Sequence, residues 1–94
     1  MLGDTLKRLR GIYGYSAMEM SKELGISNSY LSEIERGKKK ASLELLERYA
    51  DVFGIRVSSL VRFSEEYDCA AKSGAGQQMI TNMMSKLIDA YGVD

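Results

Sequence analysis

The stretch that decides the fold is SAMEMSKELGISNSYLSEIERG, residues 16–37. Ser16 stands three residues before Glu19, the spacing of a capping box. Its hydroxyl can take the Glu19 amide while the Glu19 carboxylate reaches back to the Ser16 amide. A helix started there runs to Leu24 and stops at Gly25. Ser27 is a second N-cap, and the helix it opens runs to Arg36 and ends at Gly37. Two short helices joined by a three-residue turn with a glycine are the helix-turn-helix arrangement, too close in sequence for an antiparallel hairpin. At 100° per residue, Tyr30, Leu31 and Ile34 of the second helix fall together and must face a core. Asn28, Ser29, Ser32, Glu33 and Arg36 fall together on the opposite, outward side.

Working outward, Leu2, Leu6, Leu9 and Tyr13 recur at helical spacing and predict a first helix closed by Gly14. Ser42 caps a fourth helix with an apolar stripe of Leu43, Leu46, Tyr49, Ala50 and Phe53, and Gly54 follows it. A shorter fifth helix takes Val57, Leu60, Val61 and Phe63. Composition then changes: SEEYDCAAKSGAG, residues 64–76, reads as a partly helical connector. Beyond it Met79, Met83, Leu87 and Tyr91 lie four apart with Ile80, Met84 and Ile88 beside them. These seven residues predict a sixth, amphipathic helix whose broad face suits dimerisation. Residues 1–63 therefore form one domain, and residues 64–94 a connector with a C-terminal helix.

Composition excludes several classes. The 94 residues contain no His and one Cys, which removes the commonest general base and leaves no zinc site. No catalytic constellation is visible, and nothing calls for a metal or cofactor. SGAGQQ, residues 73–78, lacks both the third glycine and the Lys-Ser/Thr of a nucleotide loop and reads as a hinge. Cys69 has no activating neighbour and reads as an inert thiol. No apolar run approaches the ~18 residues of a membrane span, and no basic region followed by an apolar one opens the chain. A cytoplasmic protein, bacterial or phage-encoded and acting at the nucleoid, is expected. Net charge is zero, but residues 1–62 hold eleven Lys and Arg against eight Asp and Glu, and residues 63–94 hold two against five. A basic body with an acidic tail suggests two jobs. Lys38, Lys39 and Lys40 make a local patch directly after the outward-facing helix.

ELGIS (residues 23–27), SYLSEIERG (29–37) and SLELLERYADVFGI (42–55) together resemble the Cro/phage-repressor type, or XRE, helix-turn-helix domain. The resemblance covers about residues 2–62. It implies an all-α, lambda-repressor-like five-helix domain whose third helix enters the DNA major groove. On that reading Asn28, Ser29, Ser32 and Glu33 face bases. Asn28 suits adenine N6 and N7, and Glu33 can accept from cytosine N4. Arg36 and Lys38–Lys40 contact phosphate, with the helix N-termini capped by Ser16 and Ser27. Arg10 pairs with Glu35 in a structural role. The chain departs from the family at Ala17, where a phosphate-touching Gln is common, at Ala41 for a Pro, and at Glu33 for an Arg or Gln. The expected function is sequence-specific transcriptional regulation, as a repressor homodimer on a pseudo-palindromic operator, with room for a regulatory protein partner. The alternative is an interaction module on the same fold, of antitoxin or coactivator type, whose C-terminal helix binds a partner.

Overall fold

The computed structural model describes residues 2–74, 76, 78, 79, 81, 82, 85 and 86. Five helices follow one another: α1 Leu2–Ile12, α2 Ala17–Leu24, α3 Asn28–Glu35, α4 Leu43–Phe53 and α5 Val57–Lys72. The three serine caps form as the sequence requires. Ser16, Ser27 and Ser42 hold extended backbone, and their hydroxyls accept from the amides of Glu19, Tyr30 and Leu45 at 3.1 Å each. At the turn between α2 and α3, Gly25 takes φ 72, a left-handed conformation that a side chain would strain.

An eight-residue helix such as α3 is marginal on its own. It is held by burial: Leu31 is 0% and Ile34 2% exposed, and each such side chain contributes about 1.5–3 kcal/mol when buried. They join Leu6 and Leu9 of α1, Met20 and Leu24 of α2, Leu45, Tyr49 and Phe53 of α4, and Leu60 and Phe63 of α5 in one core. The Tyr13 ring stacks on Phe53 with centroids 4.6 Å apart. The α1 backbone approaches the end of α3 so closely at Gly3 that a Cβ there would lie 2.5 Å from the Ile34 carbonyl oxygen.

Three expectations about packing are corrected. In α4 the buried stripe is Leu45, Tyr49, Ala50 and Phe53, whereas Leu43, at the first position of the helix, is 66% exposed. The fifth helix is not short. It continues past Phe63 and Ser64 to Lys72, because Tyr67 and Ala70 extend the row of Leu60 and Phe63 onto the core and Arg62 pairs with Glu66 at 3.5 Å. Val61, expected on the apolar face, is instead exposed. Of the C-terminal apolar face, Met79 is helical and exposed. Ile80, Met83, Met84, Leu87, Ile88 and Tyr91 lie outside the described residues.

Candidate nucleic-acid interface

The outward side of α3 is built as its sequence demands. Asn28, Ser29 and Arg36 are exposed, Ser32 and Glu33 are half-buried, and the opposite side is core. The caps leave selected amides unused at the helix starts. Ser27 takes the Tyr30 amide and Leu31 bonds the Ser27 carbonyl, so the first α3 amides, of Asn28 and Ser29, point out of the helix end. At α2 the capping box closes with Ser16 N–H donating to Glu19 Oε1 at 2.8 Å. Hydrogen bonds from the Ser16 backbone and hydroxyl hold the Glu19 carboxyl below the usual carboxylate range.

What fixes α3 is a buried ion pair. Arg10 Nε donates to Glu35 Oε2 at 2.7 Å and Nη2 to Oε1 at 3.1 Å, while Nη1 donates to the Tyr15 carbonyl at 3.1 Å. The pair ties α1, the α1–α2 turn and the last residue of α3 together. The hydrogen bond it donates to Glu35 raises the Arg10 pKa above its ordinary value. Tyr49 of α4 lies within electrostatic reach. Burial, and then the Glu35 charge, push its phenol pKa up, and its hydroxyl has no hydrogen-bond partner among the described residues. Periodicity and motif say nothing of Arg48, whose Nη1 donates to the Leu24 carbonyl at 3.0 Å and whose Nη2 meets Glu44 at 3.0 Å. Arg48 thereby completes the end of α2 beside the turn, a role visible only once α2 and α4 pack.

The three lysines of the basic segment are not equivalent. Gly37 (φ 76) turns the chain back so that the Lys38 and Lys39 amides both bond the Glu33 carbonyl, at 2.9 and 3.3 Å. This lays Lys39 across α3, its ammonium 3.7 Å from Glu33 Oε1 and 5.7 Å from the Tyr30 ring centroid. Lys38 and Lys40 are exposed and, among the described residues, outside any ion pair. Lys7 of α1 joins Ser32, Arg36 and Lys38 around a shallow depression of about 560 Å³ that Asp4 and Glu35 also line. On the far side of α1, Arg8 Nη1 donates to Thr81 Oγ1 at 3.0 Å and its guanidinium lies 5.9 Å from the Tyr67 ring centroid. The segment after α5 thus touches its own domain at Thr81.

A capped, outward-facing helix with hydrogen-bonding side chains, flanked by exposed lysines and locked from behind by an ion pair, defines a helix-turn-helix DNA-binding domain. Comparison with known proteins agrees. The sequence model of the helix-turn-helix family matches residues 6–60, and the chain belongs to that family, in its Cro/phage-repressor or XRE branch. It is similar to the HTH-type transcriptional regulator SinR of Bacillus subtilis, 35% identical over 71 residues, 72% of this chain and 64% of the relative. It is also similar to the immunity repressor of Bacillus phage phi105, 33% identical over 60 residues, 64% of this chain and 42% of the relative. The chain spans less than two thirds of these relatives. A solved structure of SinR, a master regulator for biofilm formation, in complex with DNA matches 65% of this chain and 98% of its own at TM-score 0.60 and 35% identity. A chain of the SinR–SinI protein complex matches 92% of this chain and 93% of its own, at TM-score 0.60 and 26% identity. No helix among the described residues is long and apolar enough to cross a membrane.

Proposed function

We propose that this protein is a sequence-specific transcriptional regulator rather than an enzyme. It binds double-stranded DNA in the cytoplasm as a homodimer on a pseudo-palindromic operator and represses by occupying promoter DNA. The observation that carries this reading is the outward side of α3: four hydrogen-bonding side chains, Asn28, Ser29, Ser32 and Glu33, held on a helix whose other side is core. Entering the major groove N-terminus first, Asn28 reads adenine and Glu33 cytosine. The amides at the starts of α2 and α3 meet phosphates beside Ser16 and Ser27, as do Arg36, Lys38 and Lys40. The Arg10–Glu35 pair sets the angle at which α3 is presented. In the dimer the apolar row from Met79 to Tyr91 joins two subunits and places two recognition helices about 34 Å apart.

The likeness to a chain of the SinR–SinI complex over 92% of this sequence favours a second reading for the C-terminal segment. In it the same apolar row binds a regulatory protein and thereby controls DNA binding. Selection from random duplex DNA tests the primary reading, and a recovered palindrome is the expected result. Replacing Lys38 and Lys40 with Ala should weaken binding to all sequences alike and flatten the dependence of log affinity on log salt by about 1 per lost contact. Binding that selects no sequence, with a salt slope near zero, would refute it.

A further inference from the structure

Glu33 is an acid on the face turned toward a polyanion, and unrelieved it would repel the phosphates on either side of the groove. Lys39 relieves it. The two side chains are 56% and 36% exposed for Lys39 and Glu33, and their charged atoms are 3.7 Å apart. An exposed pair of this kind adds little to stability, so its presence is not explained by folding. Its position is not accidental either. The left-handed Gly37 and the two amide bonds to the Glu33 carbonyl fix the return of the loop, and the Tyr30 ring lies beneath the ammonium. An acceptor and a donor are thus presented side by side at the edge of the outward face of α3, next to Tyr30.

A C·G base pair shows the complementary pattern in the major groove. Cytosine offers the N4 donor, and guanine beside it offers two acceptors, O6 and N7. A carboxylate suits the first and an ammonium the second. An A·T pair fits less well. Adenine N7 sets a lone pair next to the N6 donor and repels a carboxylate, and the thymine methyl crowds the approach of an ammonium to O4. We infer that Glu33 and Lys39 act as one reading unit for a C·G pair in each half-site, and that Lys39 is a base-specificity residue rather than a phosphate contact. This rests on the DNA-binding function proposed above and names part of the sequence it requires.

The test is position-by-position selection from random duplex DNA with the intact chain and its Lys38→Ala, Lys39→Ala, Lys39→Arg, Glu33→Gln and Lys39→Ala/Glu33→Gln variants, each shown folded by circular dichroism. The unaltered protein should select C·G at one position per half-site. Lys39→Ala and Glu33→Gln should each lose preference there by about fivefold or more, and the double variant no more than either alone. Lys39→Arg should keep the preference, since Arg also donates to guanine O6 and N7. Lys38→Ala should lower affinity throughout and leave the profile unchanged. Substituting 7-deazaguanine at the selected guanine should weaken the unaltered protein and leave Lys39→Ala unaffected. If Lys39→Ala behaves like Lys38→Ala, lowering affinity for every sequence with an unchanged profile, Lys39 is a phosphate contact and the inference falls alone. If the unaltered protein recovers no common sequence, the DNA-binding function falls and takes the inference with it.

Discussion

Replacing Arg10 with Ala should be among the most damaging single changes in this protein. The substitution removes three hydrogen bonds, two to Glu35 at 2.7 and 3.1 Å and one to the Tyr15 carbonyl at 3.1 Å. It also strands the Glu35 carboxylate, which is 7% exposed and cannot turn to water without moving the end of α3. Breaking a buried pair from one side costs about 3–5 kcal/mol. Because the Arg10 side chain keeps 15% exposure, water can reach part of the site, and the lower end, about 3 kcal/mol, is expected. In a domain of this size each kcal/mol moves the melting temperature by about 4–8 °C, so a fall of about 12–24 °C should follow. Urea and thermal unfolding at neutral pH, followed by circular dichroism, measure it. The Arg10→Met/Glu35→Leu double variant should recover most of the loss, since an apolar pair leaves no charge behind. It should still bind DNA more weakly, because α3 loses a directional tether. A single Arg10→Ala variant within about 0.5 kcal/mol of the unaltered protein would mean the pair is effectively solvated and does not hold the recognition helix.

Gly3→Ala should destabilise by about 1–3 kcal/mol in the same assay, because the new methyl meets the Ile34 carbonyl at 2.5 Å and backbone cannot step aside as a side chain can. Removing residues 73–94 leaves α1–α5 complete and should give a monomer by sedimentation, with a melting temperature independent of concentration and much weaker operator binding. A truncated chain that stays dimeric would assign the C-terminal segment to another role. Glu19 supplies a pH dependence. Its carboxyl is held below its ordinary value of 4.5, so its contribution is present above that pH and is lost as pH falls through the lowered value. The melting-temperature advantage over Glu19→Gln should therefore shrink on acidification below about pH 4.5 and remain constant above it.

The parts of the fold that were legible in the sequence are those set by local chemistry. Ser16, Ser27 and Ser42 announce three helix starts because a hydroxyl bonds an amide three residues on wherever the chain lies. The two sides of α3 follow from its period alone. What escaped the sequence depends on neighbours distant in the chain. Three leucines crowd positions 43, 45 and 46, and periodicity alone did not show that Leu45 turns inward while Leu43 stays out. Residues 64–72 lack an aliphatic run, and the reach of Tyr67 and Ala70 to the core, with the Arg62–Glu66 pair, carries α5 through them. In the candidate site the outward residues of α3 were readable. In the sequence the lysine run is three equivalent charges, yet the turn at Gly37 gives Lys39 a different neighbour from Lys38 and Lys40. The hold of Arg48 on the Leu24 carbonyl spans 24 positions and leaves no local trace.

The length of α5 has a mechanical consequence. Sixteen residues at 1.5 Å each make a rod of about 24 Å, which lies on the core through Leu60, Phe63, Tyr67 and Ala70 and reaches Lys72 without a break. A floppy tether between the DNA-reading half and the C-terminal segment would let two subunits find half-sites over a range of separations. A stiff arm does not. In any assembly made through the C-terminal segment, one inserted base pair between half-sites both lengthens the target and rotates one half around the duplex, and the arm must bend or let go. In the dimer proposed above, spacing then becomes a second message in the operator, read by the rigidity of a helix.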